Sequence, residues 1–233
     1  MMKRTPWLST VWIVFLSTIF IQLIGTVFYF VILKNPAAIQ PVYVITKGVM
    51  LLAPVVLVFL FGFLLAPLCR KRTIGASVGW GVLSGLAISG LTILVYVAFQ
   101  DALLPFAGNV REKIADVGIA EHYLLAALGI SLAHSLLEEY FWRWYVVRGL
   151  EARLSANASL WIGGWLFALH HYILLSQFFG LGMTIVFGTF VGIGGVMWSL
   201  IYRRTGSLLA PWLSHALVDG TLFYIGFLLI RDL

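Results

Sequence analysis

Charge is scarce in this sequence. Only 10% of its 233 residues are Asp, Glu, Lys or Arg, and the acidic side chains number 9. A water-soluble domain carries about 25% charged residues, so this chain lacks the polar surface to be one. Cysteine is nearly absent: Cys69 stands alone, which excludes an internal disulfide and a cysteine-built metal cage. Its neighbours Arg70-Lys71-Arg72 mark an ordinary loop thiol. No soluble-domain stretch and no strong internal repeat is visible. The formal net charge of +6 does not point to nucleic acid. The cations sit in short segments between apolar runs, where they act as a topology signal.

What is present is hydrocarbon, 61% of the residues being hydrophobic. Seven apolar runs each approach or exceed the roughly 20 residues that cross a bilayer. They cover 7–33, 42–66, 74–99, 120–147, 158–176, 181–202 and 208–230. The expectation is an all-α, polytopic transmembrane helical bundle of about seven spans, one domain over residues 1–233. The first run, after Met1-Met2-Lys3-Arg4, is longer than a signal-peptide core and shows no A-x-A cleavage pattern, so it reads as a retained span. Segment 100–119 carries Asp101, Arg111, Glu112, Lys113 and Asp116 and is interrupted by Pro105 and Gly108. A loop or a short surface helix fits it.

With the N-terminus inside, the inner segments carry Lys3, Arg4, Arg70, Lys71, Arg72, Arg148, Arg153, Arg203 and Arg204, and the outer ones Lys34, Arg111, Lys113 and Arg231. That imbalance predicts a cytoplasmic N-terminus. Lys47 falls near the outer end of the second run and is expected to snorkel to the interface. Gly188 and Gly192 have GxxxG spacing, which suits close helix packing.

Against this background, Glu138-Glu139-Tyr140-Phe141-Trp142-Arg143 lies inside a spanning run. An ionised carboxylate at bilayer depth costs roughly 2.5–3.5 kcal/mol on insertion scales. Two adjacent ones must face water, pair, or perform chemistry. His134 and Glu138 are four apart on one helical face, as are Glu139 and Arg143, and His215 and Asp219. Arg143 is expected to neutralise Glu139, His134 to neighbour Glu138, and Asp219 to orient His215. His170 points about 100° away from His171, so the pair is not expected to serve one site. Counting at about 1.5 Å per residue, Glu138, His171 and His215 lie roughly 15, 20 and 11 Å from the inner surface. Three spans thus place them in one slab of the membrane.

These stretches resemble the CPBP family of CAAX-protease and bacteriocin-processing membrane enzymes (Abi-type), whose motifs are EExxxR, FxxxH and HxxxN/D. Here they read Glu138-Glu139-Tyr140-Phe141-Trp142-Arg143, Phe167-Ala168-Leu169-His170-His171 and His215-Ala216-Leu217-Val218-Asp219. The approach Arg204-Thr205-Gly206-Ser207 to Pro211 is also similar. The resemblance covers residues 131–222, within a family-like core of about 120–230. It implies an intramembrane endopeptidase cutting near the cytoplasmic face. Glu138 is then the catalytic glutamate, His171 its partner, and His215 with Asp219 the substrate- or oxyanion-stabilising pair. Asp219 stands where Asn is common, and an ionised Asp cannot donate to an oxyanion.

Two chemistries fit these residues. Glu138 and His171 activate a water without metal, or a Zn²⁺ is held by Glu138, His171 and His215 with Glu139 or Asp219 as base or support. Ser131 and Ser135 beside His134 do not form a convincing nucleophile. The resemblance implies a peptide or membrane-protein substrate and a lipid bilayer as partners, with no nucleic acid. The short architecture suggests a bacterial enzyme of the cell (inner) membrane, acting on a bacteriocin leader or membrane-protein tail rather than a prenylated protein. The rival readings are a proton- or ion-coupled transporter, which also uses buried Glu, His and Asp, and a catalytically inactive scaffold of the same family.

Overall fold

The computed structural model describes residues 6–33, 35–61 and 74–231. Cys69 and the cations Lys3, Arg4, Lys34, Arg70, Lys71 and Arg72 lie outside the described residues. Every long element is helical, and seven helices are long and apolar enough to cross a membrane. The chain is a multi-pass membrane protein. Its exposed surface is largely aliphatic: Phe59, Leu83, Leu94 and Leu181 are each more than 60% exposed. In water such a surface would aggregate; among acyl chains it is solvated.

The first span is α1 (Pro6–Thr26), continued by a π-helical stretch Val27–Ile32. It packs against α2 (Pro36–Phe61). α2 starts six residues before the expected 42, because Pro36 at the first helical position has no N–H to satisfy and a φ already suited to a helix. That shift puts Lys47 in the middle of the span. Its Nζ donates 3.1 Å to Oε1 of the buried Gln22 on α1, so it does not snorkel outward.

α3 (Ile74–Leu103) kinks at Phe99, turns through Leu104–Phe106 at Pro105, and leads into α4 (Ala107–Asp116). The segment expected as a loop or short helix is therefore helical, with Lys113 and Asp116 paired at 3.3 Å on its surface. α5 (Ala120–Leu150), α6 (Ala156–Leu175), α7 (Leu181–Thr205) and α8 (Leu209–Ile230) complete the bundle.

Small residues set the tightest contacts. α6 and α7 approach backbone to backbone at Gly164 and Gly195, where a Cβ on Gly164 would lie 2.8 Å from the Val196 nitrogen. The GxxxG pair does something different: Gly188 and Gly192 receive the rings of Tyr172 and Trp165 from α6. Gly206 ends α7 in the left-handed conformation (φ 64°), its N–H donating to Tyr202 O at 2.8 Å. Glycine adopts that conformation without steric cost, so the chain turns there into α8, which packs chiefly along α3. Phe15, Met50, Phe141, Trp142, Tyr145, Phe167 and Trp198 form the buried core where α1, α2, α5, α6 and α7 meet.

Candidate active site

Both glutamates occupy the one α-helical turn Ser135–Glu139, between π-helical stretches Ile130–His134 and Tyr140–Val147. Each wide turn re-aims the side chains that follow it, and such turns recur at functional sites. Glu138 and Glu139 are fully buried, as is Arg143. Counted along the helices, Glu138 is twelve residues before Leu150, His170 fourteen after Ala156 and His215 six after Leu209. At about 1.5 Å per residue these are depths of about 18, 21 and 9 Å.

The Glu138 carboxylate is the convergence point. His134 Nε2 stands 3.2 Å and His170 Nε2 3.3 Å from Oε1, while His215 Nε2 lies 3.9 Å from Oε2. Neither short contact is aligned as a full hydrogen bond, so buried Oε1 keeps acceptor capacity. His171 Nδ1 lies 3.1 Å from the carbonyl of Phe167. A carbonyl only accepts, so Nδ1 carries the proton and Nε2 is left with a lone pair.

Glu139 anchors a second layer. Its Oε1 lies 2.8 Å from His215 Nδ1 and its Oε2 3.2 Å from Arg143 Nε. Asp219 Oδ1 lies 3.5 Å from His215 Nε2. The imidazole of His215 is therefore flanked by carboxylates and covered by Trp198, whose indole is stacked on it at 4.0 Å and 17°. Trp198 is itself fixed by a 3.0 Å bond from Nε1 to Ser214 Oγ. Phe167 fills the space between the imidazoles, with ring centroids 4.6 Å from His171, 5.5 Å from His170 and 6.0 Å from His215. The Arg143 guanidinium lies 4.5 Å above Phe167 and 5.4 Å from Trp198. A buried Arg without a partner would cost several kcal/mol. Here one carboxylate and two aromatic faces share it.

Two residues of this arrangement escaped the sequence reading. His170, set aside on the 100° argument, meets Glu138 because a glutamate is long enough to reach the edge of α6 between two of its faces. The His170–His171 doublet, with rings 4.0 Å apart, was its only signal. Trp198 had none: a tryptophan in an apolar span reads as packing. Donor atoms of Glu138, His170 and His171 all lie within 4.8 Å of one another. His215 stands outside that trio, with Nδ1 facing Glu139 and Nε2 facing Asp219.

The stretch from α5 through most of α8, residues 120–221, matches the family model Rce1-like, type II CAAX prenyl endopeptidase. Residues 120–221 are a domain of that family. The match covers less than half of the chain, and it makes that segment similar to a family of CAAX prenyl endopeptidases. No curated protein and no solved structure gave a match. The Rce1-like domain contains every residue of the Glu138 and Glu139 networks. α1 to α4 lie before it, yet Phe15 and Met50 pack into its buried core.

Proposed function

We propose that the protein is an intramembrane endopeptidase in which Glu138 is the general base for a hydrolytic water. The observation that carries this reading is the buried Glu138 carboxylate, faced by imidazoles from α5, α6 and α8 at 3.2, 3.3 and 3.9 Å. A water placed between Glu138 and the His171 lone pair gives its proton to the carboxylate. Its oxygen attacks the peptide carbonyl. Glu138 then passes that proton to the leaving nitrogen as the C–N bond breaks, which yields a carboxyl and an amine.

The tetrahedral intermediate carries an oxyanion and needs a donor. His215, between Glu139 and Asp219, presents an N–H on either side, because both neighbours are acceptors. Its Nε2–H, held only by the longer contacts, is the one free to turn to the oxyanion. Asp219 thus acts on the ring rather than on the substrate. Arg143 holds Glu139 in place through its 3.2 Å contact. With the N-terminus cytoplasmic, as the loop cations imply, His215 lies on the cytoplasmic side and Glu138 near the middle of the roughly 30 Å hydrocarbon core.

A second reading is favoured by one observation, the donor trio of Glu138, His170 and His171. One carboxylate and two imidazoles suit Zn²⁺, and a zinc ion bound there would supply Lewis acidity and activate a water. One experiment separates the readings. Purified protein in liposomes is assayed on a peptide substrate with and without a zinc chelator, beside Glu138→Gln. Loss of the base lowers kcat by about 100-fold or more, while the chelator leaves the rate unchanged. Full activity in Glu138→Gln refutes the proposal. Loss of activity on chelation, restored by zinc, establishes the second reading.

A further inference from the structure

Two hydrogen bonds tie α5 to α8. Tyr123 OH donates 2.8 Å to Phe223 O toward one end of the pair, and Trp212 Nε1 donates 2.9 Å to Leu132 O toward the other. Between them the helices leave a groove of about 360 Å³. Small residues line it: Ala127 and Ser131 on α5, Ala216 and Gly220 on α8, each pair four apart. That spacing lets another backbone come close. Leu128 and Leu132 line the same groove from α5.

One polar group in this groove is unpaired. Ser131 is 5% exposed, and its hydroxyl has no hydrogen-bond partner. Ser135, one turn on, bonds back to its own helix, donating 2.5 Å to Ser131 O. Even a Cβ added to Gly220 would stop 3.9 Å from Ser131 Oγ. One change of χ1 rotamer turns the hydroxyl into the groove. Its depth selects what can meet it there. Ser131 is four residues from the midpoint of the 31-residue α5, about 6 Å along the axis. Lipid ester groups begin at the edge of the hydrocarbon core, about 15 Å from its centre. A lipid thus offers Ser131 only hydrocarbon, whereas a polypeptide helix carries carbonyl oxygens, each with two lone pairs, at every depth.

The same helix carries a ridge beside the groove. Leu125, Leu128, Leu132 and Leu136 recur every three or four residues and are 70%, 56%, 44% and 41% exposed. A ridge and a groove side by side at one depth are complementary to a copy of themselves turned by 180° about the membrane normal. We propose that the α5–α8 groove is the interface of a homodimer: the leucine ridge of each copy seats in the groove of the other, and Ser131 donates to a backbone carbonyl of the partner. Ala216 and Gly220 each follow a residue of the candidate site, His215 and Asp219. The interface therefore lies about 100° round α8 from that site. A groove beside Gly48, between α1 and α2, is lined by apolar residues alone, so acyl chains suffice to fill it.

The test uses the full chain in liposomes, carrying a donor or an acceptor dye on a C-terminal tag, over a series of protein-to-lipid ratios. Wild type shows energy transfer that follows a monomer–dimer equilibrium. Ser131→Ala weakens association about threefold, the size of an interhelical hydroxyl bond in lipid. Ala216→Leu, which fills the groove, weakens it about tenfold or more, and Gly48→Leu leaves it unchanged. With Cys69 replaced by Ser, Leu128→Cys gives a disulfide-linked dimer on mild oxidation, and Leu94→Cys, exposed on α3, does not. The cross-link needs no groove variant to fold. Monomers at every ratio overturn the interface. So do dimers that Ala216→Leu leaves as tight as wild type, or equal cross-linking at Leu94→Cys. A phospholipid that native mass spectrometry finds on monomeric wild type and not on Ala216→Leu would give the groove to an acyl chain and end the proposal.

Discussion

His215 shows how one side chain is given a task by its neighbours. Glu139 binds Nδ1 at 2.8 Å, and Trp198 covers the ring face at 4.0 Å. A histidine free to rotate would place Nε2 in several directions; this one has a single orientation. Trp198 touches no reacting atom, so it is a positioning residue. An aromatic pair of this kind is worth about 0.5–1.5 kcal/mol beyond its buried area. Trp198→Leu is therefore expected to lower kcat by up to about tenfold with KM nearly unchanged, and Trp198→Phe to restore most of it. Steady-state kinetics of the two variants against thermal unfolding separates positioning from stability, since both substitutions loosen the core. Equal losses in Trp198→Leu and Trp198→Phe would leave the stack without a role. The residue scale is also where the sequence was only half legible. Spacing of four paired Glu139 with Arg143 and His134 with Glu138 on paper, since helix geometry alone brings such residues together. His170 could not be read that way, because its contact depends on how α6 crosses α5.

Among the elements, α5 carries both glutamates, and α6 and α8 bring the imidazoles to them. The seven spans were legible from hydropathy because twenty apolar residues in lipid have no alternative to a helix. Their phase was less so. Pro36 moved the start of α2, and the π-helical stretches Ile130–His134 and Tyr140–Val147 have no sequence signature. From α6 the ring of Phe167 meets Arg143 and the imidazoles of His170, His171 and His215. The separation of α6 and α7 is fixed at Gly164, three residues before Phe167. Adding a methyl group there meets Val196 Cγ2 at 2.5 Å and also backbone, the Val196 nitrogen at 2.8 Å and the Gly192 oxygen at 3.1 Å, so turning the valine side chain alone does not make room. Gly164→Ala is expected to cost about 1–3 kcal/mol and to lower activity by shifting Phe167. Gly194→Ala, whose new Cβ would come no closer than 3.8 Å to the Trp198 ring, should change neither. Unfolding temperatures of the two variants in detergent check this; a Gly164→Ala protein as stable as wild type would mean that α6 and α7 have slack at this crossing.

For the whole molecule, the membrane decides which contacts matter. Exposed Leu, Ile and Phe side chains gain nothing from associating in lipid, so the bundle is held by close backbone crossings, aromatic packing and the buried polar network. That network lies deeper than a water-soluble protease would place it, and the side from which its substrate enters follows from orientation. Arg148, Arg153, Arg203 and Arg204 flank the ends of α5, α6 and α7 on one side, and Arg111 and Lys113 lie on α4 at the other. Lys and Arg are retained preferentially on the cytoplasmic side during insertion, so the α5–α6 connection should be cytoplasmic and α4 external. Cysteine labelling reads this directly once Cys69 is replaced by Ser. Ala152 and Glu112 are exposed positions on the two sides. In intact cells, Glu112→Cys should react with a membrane-impermeant maleimide, and Ala152→Cys should react only after permeabilisation. The reverse pattern would turn the site toward the other face while leaving its chemistry untouched. The face from which the substrate is inferred to enter would then be the external one.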